Sequence, residues 1–243
     1  MLRNRLRGFI ATAACALAAG ATMTATADGP TVTLGITADG NNQSQDLIGS
    51  STATPDVFNY QGSVVDGSGA WTLGWNFNAS NNQGGNKAFT AGNYVIQNLS
   101  DHAIQFDLTV SLPVALLGST VYGGSVSGGL TTTAAGFISS LQIPLWTGAT
   151  GGSTISTLFN NPFDVTRTEA GSSSLGADSF GSPIPSLPGP DLGSDLRITF
   201  SFLLGANSSA SFTSVFVAQV PAPGAAALLG LAGLAACGRR RRA

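Results

Sequence analysis

The sequence predicts an all-β domain, an antiparallel β-sandwich of jelly-roll-like type, between two apolar ends. Three observations predict it. Apolar residues recur at every second position in several runs, which places one apolar row on one sheet face and a polar row on the other. Clusters of Gly, Asn, Asp and Ser separate the runs. Helix-period patterns are scarce, although the chain has 243 residues in which to show them.

Taken in chain order, strands are expected at Thr31–Thr37 and Val57–Val65, and then at Trp71–Phe77, where Trp71, Leu73, Trp75 and Phe77 alternate with Thr72, Gly74 and Asn76. Asn93–Asn98 follows. The clearest run comes next, with Ile104, Phe106, Leu108, Val110 and Leu112 alternating with Gln105, Asp107, Thr109 and Ser111. Phe137–Leu145 and Thr154–Phe159 are weaker. Leu196, Ile198, Phe200, Phe202 and Leu204 alternate as far as Gly205, and Ser211–Val217 ends the series. Asp39-Gly40-Asn41-Asn42, Asp66-Gly67-Ser68-Gly69, Asn82-Gln83-Gly84-Gly85 and Asn98-Leu99-Ser100-Asp101 mark turns. The stretch Gly171–Asp195, with Pro183, Pro185, Pro188 and Pro190, is expected as a long loop across one face or edge. Strands with one apolar face bury it only by packing two sheets or closing a barrel.

The two ends have a different character. Arg3, Arg5 and Arg7 precede an apolar run from Gly8 to about Ala21, and small residues close the segment at Ala25-Thr26-Ala27. That order is a secretory signal peptide, with cleavage by signal peptidase expected after Ala27 and Ala19-Gly20-Ala21 as another exit. A permanent amino-terminal membrane helix is the alternative. At the other end Val220-Pro221-Ala222-Pro223 leads into an apolar stretch, Gly224–Gly238, and then Arg239, Arg240, Arg241 and Arg242. As a helix the stretch would span roughly 22 Å, short of a hydrocarbon core of about 30 Å. Arginine clusters stay on the cytoplasmic side, so arginines at both ends place the chain between them across the membrane. The expected organisation is a signal peptide over residues 1–27, a β-sandwich over 28–219, and a sorting and anchoring segment over 220–243.

Val-Pro-x-Pro, an apolar helix and a terminal arginine cluster resemble the PEP-CTERM sorting signal, a tail also labelled an ice-binding protein C-terminal domain. The resemblance implies an exosortase-type enzyme that recognises the proline motif and cuts near it. The body is then released to the cell surface or extracellular polysaccharide after transient anchoring in the inner membrane. Ala222 stands where that family carries glutamate, which bears on which processing enzyme reads the motif. A plain tail anchor is the alternative. The body also resembles a recurring type among PEP-CTERM proteins, through Trp71–Asn76, Asn93–Pro113, Pro183–Pro190 and Ser211–Val217.

The body differs in charge from the whole chain. All twelve acids fall between the ends, against Lys87, Arg167 and Arg197, for a formal charge of −9 where the whole chain has −2. No basic face exists to neutralise nucleic-acid phosphates. Both cysteines, Cys15 and Cys237, lie in the ends, so the body holds no disulfide and no thiol nucleophile.

Chemistry is sparse in what remains. His102 is the single histidine, expected in a solvated turn. No Gly-x-Ser-x-Gly elbow accompanies it, and one histidine cannot make a histidine-rich zinc site. Glu169 is the single glutamate, and no aspartate falls at a position the pattern marks as buried and paired for glycoside hydrolysis. Asp39, Asn41 and Asp46 share one loop in this reading, and Asp191 and Asp195 another, so a structural calcium ion is a candidate there. For carbohydrate stacking, Trp71 and Trp75 belong to the core by their alternation. Trp146, beside Pro144 and Gly148, is the candidate exposed platform, and Tyr60, Tyr94 and Tyr122 are open. Thr131, Thr132 and Thr133 are consecutive and make no one-sided ladder. Asn98-Leu99-Ser100 matches a glycan acceptor pattern. The expectation is an exported surface or matrix protein without catalysis or cofactor. The alternatives are a secreted carbohydrate-binding module and, behind it, a secreted glycoside hydrolase.

Overall fold

The structure is a computed structural model that describes residues 29–115, 118–140 and 142–221. The expected signal helix and carboxyl-terminal apolar helix lie outside these residues. Within them the chain is all strand and loop. It passes through β1 (Val32–Ala38), β2 (Asn41–Leu47), β3 (Ser50–Ser51), β4 (Phe58–Val65), β5 (Trp71–Gln83) and β6 (Lys87–Asn98). It continues through β7 (Ile104–Pro113), β8 (Thr120–Thr132), β9 (Gly136–Ser140), β10 (Trp146–Thr150) and β11 (Ser153–Leu158). The last strands are β12 (Phe163–Arg167), β13 (Gly171–Phe180), β14 (Leu187–Gly189), β15 (Asp195–Leu204) and β16 (Ser208–Gln219).

Two antiparallel sheets pack face to face as a sandwich. The first has the order β11-β10-β15-β7-β1-β2, with β9 on β15 and β12 on β9; the second has β13-β8-β16-β6-β5-β4-β3, with β14 on β8. From β6 to β9 successive strands alternate between the sheets, and β15 leads into β16 the same way, which is the jelly-roll-like habit. Period-two patterning explains the packing directly. Trp71, Leu73, Trp75 and Phe77 face inward from β5 against Ile104, Phe106, Leu108 and Val110 of β7 and Ile198, Phe200 and Phe202 of β15, all of them buried. Tyr94 and Phe212 reach Phe200 at ring-centroid distances of 5.5 and 4.8 Å, inside the range where aromatic pairs add to simple burial.

Three expectations change here. Asp39 and Gly40, with φ of 47° and 79°, form a two-residue hairpin, and Asn41 already pairs with Ala38. Positive φ at both central residues is what a type I′ hairpin turn requires. The segment after it is therefore strand β2, polar on both sides because it lies at a sheet edge. Gly171–Phe180, expected as loop, is the edge strand β13, which pairs with β8 through a bulge between Ser174 and Gly176. The piece with prolines beyond it does cross a face, setting Ile184 and Pro185 over Gly123 of β8. β8 itself, a central strand of thirteen residues, has no counterpart in the sequence reading.

Candidate functional site

The Val220–Pro223 motif begins where the last central strand ends. β16 runs antiparallel between β8 and β6 as far as Gln219, which pairs with Lys87. The next residue is held on both sides of its peptide. The Val220 amide donates to the Asn86 carbonyl at 2.8 Å, and the Asn86 side-chain amide donates to the Val220 carbonyl at 3.3 Å. Pro221 is exposed immediately beyond. Ala222, Pro223, Arg239–Arg242, Ala25 and Ala27 lie outside the described residues. The first described residues leave toward the same end. β1 opens with Val32 opposite Leu47, and Thr33 pairs with Ser111 near the close of β7. Just before it the Pro30 carbonyl accepts from the Tyr60 hydroxyl at 2.5 Å. Burial of Tyr60 pushes its phenol up to about 12.

The opposite end carries the histidine. Asn98, buried at the end of β6, donates to the carbonyls of His102, Leu204 and Gly205 at 2.8, 3.0 and 3.0 Å and so ties the two sheets together. A side chain spent in that way cannot carry a glycan, which removes Asn98 as an acceptor in the folded protein. His102 stands in its turn before β7 as expected. Its Nδ1 lies 3.1 Å from Asp101 Oδ1 and its Nε2 lies 3.5 Å from Asp39 Oδ2. A cleft of about 220 Å³ adjoins it, lined by Asp39, Asn41, Asp66, Ser68, Trp71 and His102 among others. The hydrogen bond to Asp101 leads the causes that raise the His102 imidazole above its ordinary value, and the same bond holds Asp101 below the usual carboxylate range. Bonds from the Ser68 hydroxyl and amide do the same for Asp66. Asp101 and Asp66 are thus both held in their charged form by the groups that bond them.

The remaining candidate residues separate. Asp46 pairs across from Thr33, at the far end of β2 from Asn41, and accepts from the Thr33 hydroxyl at 2.9 Å. The hairpin thus keeps Asp39 and Asn41 near the turn and carries Asp46 to the far end of β2, so the three do not share one loop. Asp195 opens β15 and is buried. It binds Arg197 Nη2 at 2.6 Å and the Gly151 amide at 2.9 Å, and accepts from Ser111 at 3.1 Å, which is a structural role. Among the described residues no group of three or more His, Cys, Asp or Glu could hold a metal ion. Trp146, expected as an exposed platform, is fully buried. Its ring packs against Phe180 and Phe216, and its indole N–H donates to Ser214 at 2.8 Å. It faces inward because Gly148, two residues on, leaves its ring the space a Cβ would take. Tyr60, Tyr94 and Tyr122 are buried too.

What the sequence reading missed is the outer face of the second sheet. Four successive cross-strand rows run from β4 through β5, β6, β16 and β8 to β13, beginning at Val65, Ser63, Gln61 and Asn59 and ending at Ser172, Ser174, Ala177 and Ser179. No position in these rows is charged or aromatic. Ser, Thr, Asn and Gln predominate, with Gly, Ala and Val between them. The first sheet differs, with Asp46, Asp107 and Arg197 on its outer side. Five carboxamides cluster in two adjacent rows: Gln61, Asn76 and Asn93 in one, Asn59 and Asn78 in the next. Asn59 Nδ2 donates to Asn76 Oδ1 at 2.9 Å and to Asn78 Oδ1 at 3.0 Å, and the Thr213 hydroxyl donates to Asn93 Oδ1 at 2.7 Å. The amide nitrogens of Asn76, Asn78 and Asn93 point onto an open face with no partner among the described residues. Asn76 was visible in the polar row of its strand, but only the register shows that three strands bring their amides together.

No family model matches the chain, and no curated protein matches it. Among solved structures it is similar to TmCBM61 in complex with β-1,4-galactotriose, with 13% identity over 66% of this chain and 88% of that one, at a TM-score of 0.27. That degree of likeness is too remote to transfer a ligand.

Proposed function

We propose that this chain is an exported, non-catalytic surface or matrix protein whose β-sandwich is displayed through the segment beginning at Val220. The observation that supports this is the shared exit. The first and last described residues leave from one end of the sandwich, and the His102 end points away. A tether at that end leaves the His102 end free. The Asn86 clamp keeps a motif that starts at Val220 just outside a rigid central strand, so an exosortase-type enzyme can read it without unfolding the body. Intact mass of the protein recovered from its native cells, with the cell fraction noted, is the test. Loss of residues 1–27 and of everything beyond the Pro221–Pro223 region is expected. An arginine tail still attached in the membrane fraction replaces sorting with a plain anchor.

A carbohydrate-binding role is the second reading. Its stacking-platform version fails, because all three tryptophans and all three tyrosines are buried. The uncharged face of the second sheet favours a different version of it.

A further inference from the structure

We propose that the outer face of β4, β5, β6 and β16 docks an uncharged polysaccharide chain, held by the carboxamides of Asn59, Gln61, Asn76, Asn78 and Asn93. This deepens the surface reading above by naming a ligand class for the displayed body.

Charge distribution is the first argument. The body carries −9, yet four rows across six strands hold no acid and no base. Exposed sheet faces ordinarily carry charge to stay solvated and to discourage contact. An anionic polymer is repelled by the body as a whole, and a cationic one finds the acids elsewhere. The uncharged face complements an uncharged, hydroxyl-rich ligand.

Hydrogen-bonding capacity is the second. Each carboxamide offers two donors and an acceptor, and those of Asn76, Asn78 and Asn93 keep donors in hand after their contacts with Asn59 and Thr213. Strands lie about 4.8 Å apart, and same-face residues on one strand about 6.8 Å apart. The amides therefore form a regular grid on which successive sugar hydroxyls can find donors and acceptors together. Backbone pairing fixes that grid in advance, which limits the entropy lost on binding.

A second copy of this chain fits the face less well. Protein interfaces centre on aromatic, Met or Arg anchors, and these rows supply only Val65, Val95 and Val215 with two alanines.

The test is affinity electrophoresis of the mature protein recovered from its native cells. The gels contain a neutral glucan, mannan or galactan, and alginate serves as the anionic comparison. Retardation by at least one neutral chain and none by alginate is expected. The Asn76→Asp/Asn93→Asp double variant keeps side-chain shape, adds charge and removes donors. It should weaken retardation roughly tenfold or more, the loss of about two hydrogen bonds. Asn42→Asp, on exposed β2 of the other sheet, should leave it unchanged, and thermal melts confirm that both variants fold. The proposal is overturned if no neutral chain retards the protein, if alginate alone does, or if the double variant is retarded as strongly as the parent, each relative to its own mobility without polysaccharide. It is overturned equally if sedimentation shows a dimer that the double variant dissolves, which gives the face to a second copy. Correct processing by mass with no glycan binding removes this inference and leaves the surface reading standing.

Discussion

The strands that line the core fill it in two opposite ways, one seen in β7 and β15 and the other in β8. β7 and β15, at the heart of the first sheet, place large side chains inward at every second position: Phe106, Leu108 and Val110 on one, Ile198, Phe200 and Phe202 on the other. β8 lies next to β16 in the second sheet and presents Tyr122, Gly124, Val126, Gly128 and Leu130 to the same core. Its glycines are filled by neighbours. A Cβ on Gly124 would meet the Phe180 ring at 2.7 Å, and one on Gly128 would meet the Ser211 carbonyl at 2.6 Å and Leu175 at 3.0 Å. Protein interiors are close-packed, and in one place the strand supplies the volume while in the other it receives it.

Phe200→Ala should have the largest effect of any change that probes this contrast. The ring touches Tyr94 and Phe212 and pairs across the sheet with Trp146 and Leu108, and nothing small nearby can refill the space. Removing such a ring costs about 3–5 kcal/mol, to be measured by urea unfolding at constant m-value. A loss under about 1 kcal/mol would mean the first sheet is not packed as described.

Gly128→Ala should come next, at about 1–3 kcal/mol, because the added methyl meets a backbone carbonyl that can yield only by moving a strand. Gly35→Ala, on β1 of the first sheet, sharpens the point. A Cβ there meets nothing within 4 Å, so the expected change is within about 0.5 kcal/mol. Gly35 faces out of the core, so equal costs at the two glycines would mean that the filled space beside Gly128 is not what makes its methyl costly.

The distinction between a strand that supplies volume and one that receives it also explains what was legible in the sequence. β5, β7 and β15 were readable because the volume sits in their own letters, and most of the other expected strands were present within a few residues of their observed ends. β8 was not, because Gly-Gly-Ser-Val-Ser-Gly-Gly carries the turn composition of a loop. Only the partners Phe180, Phe212 and Leu175 show that it is a strand. Trp146 failed for the related reason that Pro144 and Gly148 suggested exposure, when Gly148 makes room for the indole. Asp46 left the expected loop with Asp39 and Asn41 because Asp39-Gly40 is a complete turn in itself and the residues after it form β2. The carboxamide face was legible residue by residue but not as a face, since register between strands far apart in sequence is not written locally.

Ser214→Ala tests the seam between the sheets. The Trp146 indole N–H donates to Ser214 in a buried setting, and a buried donor left without a partner costs about 1–3 kcal/mol. Trp146→Phe in the same background should recover part of the loss by removing the unpaired donor. If it adds a full further cost, packing and not the hydrogen bond governs the site.

The smallest effect belongs to the exposed end of the molecule, and its sign follows from the two shifts there. The His102 imidazole is raised in the folded state, first by its hydrogen bond to Asp101. Its contribution to stability is therefore complete below its ordinary value near 6.5 and disappears as pH rises through the folded value. Asp101 is lowered, so its contribution is present above the ordinary carboxylate value and is lost as pH falls through the folded one. Together they confine the ion pair to mildly acidic pH. Solvent screens both groups, so calorimetry should register only a slight drop in midpoint between pH 6 and pH 8, weaker still in high salt. His102 is the single histidine of the chain, so its imidazole resonance can be titrated without assignment work. A native midpoint above that of the urea-unfolded chain is expected, moving back toward it in Asp101→Asn. A native midpoint at or below the unfolded one would mean that His102 does not engage Asp101 and Asp39, and the hairpin turn of β1 and β2 would then lack its charged tie to the turn before β7.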